Sequence, residues 1–440
     1  MQHRYQEDGQ NRPGRPAPHE ALLFPGAGRG IARRLLCFLC AFFLVLQPCA
    51  AAAAAEDTDG IASEEELETI QSVNSATMAA ASSGVVDVVG LTQITAAQVK
   101  AKISSYYIPD SAVYLDGAER KEGDLDDIIA RRNIDAVTDP VTIRYGIVAS
   151  DTMVRRYPTW SSLTETADGT EDYFQETMLL TGEGVDILHQ TADGVWSFVQ
   201  SRSDFGWIET SHIAFCSRED MDAFVNPEDF IVVTDSWLAS GDLELRMGTK
   251  LPVVQATEAD YTVLVPRVSG SGTLYFTQVA IQKSLGVSRG YLSITQESVQ
   301  KLAQRLLNMP YAEGDSGGYM DSVSALDAIF LCFGVILPRH VSQLNFTGAS
   351  VIELRNMTDE AKSALIADCN PGSILVMDDH AALYLGLVDG EPAIFQEVKE
   401  YSTSDGALIS ANKGVITPQD VRTSEGTSYL SLYRRVFSVW

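Results

Sequence analysis

The sequence predicts an α+β multidomain protein: two small all-β domains ahead of a C-terminal domain in which helices precede a meander of strands. Three observations carry this. From residue 141 to about 295 the chain runs in short strand-like stretches separated by Gly and Asp turns. At Thr295 the apolar period changes to that of a helix and holds through two segments. After Pro371-Gly372 it returns to short strands, in "GSILVMD", "HAALYLGLV", "EPAIFQEV" and "SYLSLYRRVF".

The N-terminal residues 1–55 read as a secretory signal. Arg33 and Arg34 precede "LLCFLCAFFLVL" (Leu35–Leu46) and then "QPCAAAAAAED", a basic region, an apolar core and a small-residue exit with cleavage in Ala50–Ala55. The apolar core is shorter than the roughly 20 residues a spanning helix needs, so an uncleaved anchor is the lesser alternative, and no stable membrane insertion of the mature chain is expected. Lipidation at Cys49 is disfavoured, because Leu46-Gln47-Pro48 lacks the small residues that precede a lipoprotein cysteine. The expected location is therefore exported, periplasmic or associated with the cell envelope.

The 440 residues carry a formal charge of −27. Removal of 1–55 leaves 26 basic and 56 acidic residues, a net charge of −30. This excludes a nucleic-acid partner, which needs clustered Lys and Arg, and disfavours an anionic membrane surface. Cys216, Cys332 and Cys369 remain after cleavage. They are too widely spaced for a disulfide framework; one pair is conceivable, and free buried thiols are the plainer reading.

Residues 56–93 read as a linker or a loosely attached helix, with "SEEELETIQS" looking helical. Residues 94–140 alternate helix and turn and form an N-terminal helical region too small for a core of its own. In 141–217, "VTIRYGIVAS", "MLLTGEGVDILHQ", "GVWSFVQS" and "FGWIETSHIAF" are strands, with "TADG" marking a hairpin. Their regular spacing and the late Gly-Trp-Ile suggest a small β-barrel of the bacterial SH3 type. A second such barrel is expected over 218–295. In 296–440, Thr295 is a candidate N-cap with Glu297 in the first turn, and Val299, Leu302 and Leu306 share one face. In "SVSALDAIFLCFG", Leu326, Ile329, Phe330 and Phe333 form a buried stripe, Cys332 belongs to the core, and Gly334 is a C-terminal stop.

The stretch joining these helices carries the chemistry. A helix N-terminus stabilises an anionic nucleophile, and a base must reach it from another element. Ser322 begins the second helix on the side of Leu326. His380 opens a strand after "MDD", and Gln396 lies on the next strand, where a polar side chain can orient an imidazole. His189 and His212 fall within the first barrel as structural or surface residues, and His340 reads as a loop residue. Asp126/Asp127 and Asp378/Asp379 read as turn and solvated-face pairs. No His, Cys or Asp cluster has metal-ligand spacing and no loop is built to cradle phosphate, so neither metal nor cofactor is expected.

The order of motifs resembles the NlpC/P60 family of cell-wall peptidases, and within it the γ-D-glutamyl-L-diamino-acid endopeptidases that carry SH3-like domains ahead of the catalytic one. The family runs P-Y-G-W-G-G, D-C-S-[AG], F-G-[IV]-x-L-P-R, P-G-D and G-H-[IV]-x-L-Y-[LI]-G. Pro310-Tyr311, Asp321, Phe333-Gly334-Val335, Leu337-Pro338-Arg339, Pro371-Gly372 and His380 to Gly386 match it, and the likeness extends over about residues 90–440. It implies a papain-like C-terminal domain, murein stem peptides as the ligand class, His380 as base and Gln396 as its orienting partner. Asp321 would bind the substrate's free amine or cap the helix that follows.

The departures fall in one place. Ala312-Glu313-Gly314-Asp315 stands where the family has G-W-G-G, and Ser322 stands at the nucleophilic cysteine. A one-residue slip, aligning Ser324-Ala325-Leu326 with the family's S-A-L, puts Val323 there instead. Cys332 cannot substitute, being ten residues further along the helix, about 15 Å. Glu313 and Asp315 are expected to add negative charge beside an anionic intermediate. Two readings stay open: a degenerate member that binds wall peptides with weak or no hydrolysis, and an endopeptidase using Ser322 and His380 in place of Cys and His. The sequence sets no oligomeric state.

Overall fold

The computed structural model describes residues 60–440 except 347–349, 389 and 440. The expected signal segment therefore lies outside the described residues. Helix α1 (Glu64–Ala79) opens with a capping box, in which Ser63 accepts from the Glu66 N–H and the Glu66 carboxylate accepts from the Ser63 N–H. The stretch expected as a linker is docked. Ile70 and Val73 are buried in the core of the C-terminal domain, and the Asn74 side chain donates to Gly334 O at 2.9 Å and accepts from Ile336 N–H at 3.0 Å.

Helix α2 (Ala96–Ser105) covers one side of the first barrel. Val99 and Ile103 pack with Trp196, Phe198 and Trp207. The barrel strands are β1 (Arg144–Val148), β2 (Thr152–Arg155), β3 (Gln175–Leu179), β4 (Gly184–Gln190), β5 (Trp196–Gln200), β6 (Phe205–Glu209) and β7 (Ile213–Cys216). They form one antiparallel sheet in the order β7-β1-β4-β5-β6-β2-β3. Alternation sends Val154, Val185, Ile187, Val199 and Ile208 inward, as the strand period requires.

The short helix α3 (Arg218–Val225) leads into a second β unit, pressing Met221 and Phe224 against it. Its strands are β8 (Phe230–Val233), the hairpin β9 (Trp237–Ser240) and β10 (Leu243–Arg246), then β11 (Lys250–Ala256), β12 (Asp260–Val268), β13 (Leu274–Gln282) and β14 (Val287–Arg289), with a five-stranded sheet in the order β13-β12-β11-β8-β14.

The C-terminal domain stacks helices on a six-stranded antiparallel sheet. Thr295 caps α4 (Gln296–Arg305), its hydroxyl accepting from the Ser298 N–H. Helix α5 (Ser322–Leu331) follows the loop 313–318. The sheet strands are β15 (Ser350–Glu353), β16 (Ile374–Val376), β17 (Ala381–Val388), β18 (Glu391–Ser402), β19 (Leu408–Pro418) and β20 (Arg435–Ser438), in the order β15-β20-β16-β17-β18-β19. Leu383, Leu385 and Phe395 face α4 and α5, meeting Leu302, Leu326, Ile329 and Phe330. Burial of aliphatic and aromatic side chains of this size contributes about 1.5–3 kcal/mol each. Tyr384 and Ile394 face the other way, onto α6 (Asp359–Ala367). Among the described residues, no helix is long and apolar enough to cross a membrane.

Candidate active site

Ser322 is the first residue of α5 and is 8% exposed. Asp321 is the N-cap. Its Oδ1 accepts from the N–H groups of Val323 and Ser324, both at 3.0 Å, and the Ser324 hydroxyl accepts in return from the Asp321 N–H at 2.9 Å. Arg339 grips the same carboxylate with NH1 at 3.2 Å from Oδ1 and NH2 at 2.5 Å from Oδ2, and Gly314 N–H adds a further donor at 3.2 Å. Five donors thus converge on the roughly four lone-pair positions of a carboxylate. This geometry fits Asp321 as a helix cap and ion-pair partner, with no lone pair left over for a ligand amine. The Arg339 charge and its hydrogen bonds hold the Asp321 carboxyl below its ordinary range, against the opposing effect of burial, which is the largest single influence.

The loop 313–318 has a left-handed backbone at several positions, including Gly314 and Asp315. At Gly314 the requirement is also steric, since a Cβ there would lie 3.1 Å from Glu176 O and 3.2 Å from Gln175 O of β3. Asp315 tolerates this backbone because Asp visits it more readily than most side chains. Its carboxylate does not add charge to the cleft as expected. It is buried and turned inward, accepting from Thr177 Oγ1 at 3.0 Å and from the Ser324 hydroxyl, with Arg339 NH2 3.6 Å away. Burial raises its pKa to about 6 in spite of Arg339. Glu313 is exposed and accepts from the Tyr311 hydroxyl at 2.6 Å.

His380 and Gln396 come together. His380 Nε2 lies 3.3 Å from Gln396 Oε1, and Gln396 Nε2 donates to Thr417 Oγ1 at 2.9 Å. The amide is set with its oxygen toward the imidazole. This assigns the proton to Nε2 and leaves Nδ1 as the basic nitrogen. Gln396 is only 1% exposed. Burial lowers the His380 pKa, opposed by the Gln396 hydrogen bond and by Asp379 and Asp321. Among the described residues, no hydrogen bond joins Ser322 to His380.

Among the described residues the three cysteines, Cys216, Cys332 and Cys369, are free. Cys332 ends α5, fully buried, and its Sγ faces Val233 O and Ala328 O. Burial pushes it and Cys216 up to about 12, so neither is a nucleophile at neutral pH. A cavity of about 600 Å³ lies elsewhere, between α1, the turn before β4 and the start of β11, and neither Ser322 nor His380 lines it.

Two features escaped sequence reasoning. Glu397, next to Gln396, is 1% exposed, and neither of its carboxylate oxygens has a hydrogen-bond partner. Burial, aided by the Asp321 charge, raises its pKa to about 9. Opposite it in the ladder stands Gly414, where a Cβ would come within 2.6 Å of Glu397 Oε1. The second is His340, which joins Glu176 and Asp204 of the barrel. No linear signal marks either, because both are defined by strand neighbours and domain contact.

A solved structure described as a novel NlpC/P60 endopeptidase from Photobacterium damselae subsp. piscicida superposes with a TM-score of 0.67, covering 88% of this chain and 95% of that one at 16% identity. The chain has an NlpC/P60 endopeptidase fold. An NlpC/P60 family protein from Bacillus cereus matches with a TM-score of 0.47, covering 67% of this chain and 99% of that one at 15% identity. A family model described as SH3 domain (SH3b1 type) matches residues 158–209, within the first barrel. No curated protein matches the chain. In this NlpC/P60 fold, Ser322 begins α5 behind its cap Asp321, and His380 precedes β17 in contact with Gln396 of β18.

Proposed function

We propose that this is an exported cell-envelope protein that binds murein stem peptides in an NlpC/P60-type cleft and has lost most or all of the peptidase chemistry. The observation that carries the reading is Ser322 at the N-terminus of α5, without a hydrogen bond to His380. A cleft organised for a thiolate relies on the acidity of sulfur. An alcohol far less acidic than a thiol needs its base in contact and a preformed oxyanion hole. The fold and the SH3-type barrel support a wall-peptide ligand, and residues 1–55 support export.

One observation favours the alternative, a γ-D-glutamyl-L-diamino-acid endopeptidase using Ser322. His380 keeps a basic Nδ1, fixed in tautomer by Gln396, which is the state a general base requires. The test is incubation of the protein with L-Ala-γ-D-Glu-diaminopimelate, following both cleavage and binding. Binding without turnover, with turnover gained in Ser322→Cys, supports the degenerate reading. Cleavage abolished in Ser322→Ala establishes the alternative, and failure to bind any murein peptide defeats both.

A further inference from the structure

Glu176 on β3, Asp204 just before β6 and His340 just after Arg339 meet where the first barrel abuts the C-terminal domain. His340 Nε2 lies 3.4 Å from Glu176 Oε1 and 3.8 Å from Asp204 Oδ2, and the three atoms all lie within 4.8 Å of one another. Both carboxylates are 5% exposed, while the imidazole is half-buried and opens to solvent. The other oxygen of each carboxylate is already engaged. Arg156 Nε donates to Glu176 Oε2, and the Phe205 N–H donates to Asp204 Oδ1 at 2.8 Å. Asp204 Oδ2 has no hydrogen-bond partner, although it is buried and faces the other two ligand atoms.

We propose that Glu176, Asp204 and His340 bind a divalent transition-metal ion of the zinc class, which pins the first barrel to the C-terminal domain. The geometry is close to closed. The in-plane centre of three atoms with these separations lies at most about 2.4 Å from each, and zinc takes imidazole and carboxylate ligands at about 2.0–2.2 Å. Shifts of a few tenths of an ångström complete the site. One imidazole with two carboxylates suits zinc better than magnesium or calcium, which favour all-oxygen shells. The solvent-facing side of His340 leaves a fourth position for water. Arg156 acts as the outer partner that orients Glu176, as hydrogen-bonded carboxylate ligands commonly require.

Charge supports the same assignment. Glu176, Asp204, Asp315 and Asp321 form one buried acidic group around Arg339 and Arg156, with Lys102 beyond, over the Phe205 ring. A metal ion would offset the charge of the two carboxylate ligands where Asp204 Oδ2 lies unpaired. The ion would also act on the cleft indirectly. It would fix the residue following Arg339, and Arg339 holds the N-cap of the helix that starts at Ser322.

The test uses the full chain, stripped with a chelator and titrated calorimetrically with Zn²⁺, with Co²⁺ as a visible-absorption probe of coordination and Mg²⁺ as the comparison. The expected result is one equivalent of Zn²⁺ per chain. Affinity should fall by about 100-fold or more in His340→Ala and in Asp204→Asn, since even outer-partner losses cost 10–100-fold. His340→Ala removes a half-exposed side chain, so it tests the site even if Asp204→Asn fails to fold. Absence of stoichiometric Zn²⁺ binding, equal binding by His340→Ala, or a preference for Mg²⁺ would overturn the proposal.

Discussion

Glu397→Gln tests whether a neutral carboxylic acid is built into β18 opposite Gly414. Glu397 is buried against Gly414 with both oxygens unpaired, and its pKa is raised from 4.5 to about 9. The folded pKa lies above the unfolded one. Its contribution to stability is therefore fully present below 4.5 and is lost progressively as pH rises toward about 9. Each pH unit in that window is worth about 1.4 kcal/mol for one group. Between about pH 5 and about pH 8 the wild type should lose up to about 4 kcal/mol relative to Glu397→Gln, which is near-isosteric and cannot ionise. Asp186 and Asp204, both raised to about 8, add their own slope, but they do so in both proteins, so the difference isolates Glu397. The assay is urea unfolding of wild type and variant at closely spaced pH values. Parallel stability curves across the window would refute the reasoning, because they would mean that Glu397 is ionised in the fold or that its proton is equally held when unfolded.

Three further outcomes are expected. Arg339→Met should destabilise by about 3–5 kcal/mol in chemical denaturation, since it strands the buried Asp321 and Asp315 carboxylates without their cation. Leu326→Ala should cost about 2.7–5 kcal/mol in the same assay, because Leu326 of α5 is 1% exposed in the core shared with α4 and the sheet. His380 should titrate below 6.5 by NMR, and Gln396→Ala should lower it further by removing the hydrogen bond that favours the charged imidazole; an upward shift would contradict the assigned geometry.

The parts of this protein legible in its sequence are those decided locally. Thr295 as a cap, the stripe Leu326, Ile329, Phe330 and the strand alternation around Leu383 and Leu385 depend on neighbours within a turn or two. The position of Ser322 at a helix start and of His380 ahead of a strand follows from the same rules. What stayed illegible depends on which surfaces meet. Helix α1 read as a linker because its polar composition hides the two side chains, Ile70 and Val73, that dock it. The inward turn of Asp315 required knowing that Arg339 and Thr177 would converge on it from other elements. Glu176, Asp204 and His340 are far apart in the chain, so no ligand spacing could announce them.

The contact between β3 and the loop 313–318 bears on how this chain can be dissected. Thr177 Oγ1 accepts from Arg339 Nε at 2.7 Å, Glu176 O lies 3.4 Å from Arg339 NH2, and Gln175 Nε2 donates to Gly314 O at 2.8 Å. The pocket rim is thus inherited from a neighbour. A fragment starting at residue 296 would keep every residue of the expected triad and still lose the polar partners that seat Arg339 and the rim loop. The C-terminal domain is not a transplantable module, and graft or truncation studies that assign its behaviour to Ser322 alone would be measuring an unsupported scaffold.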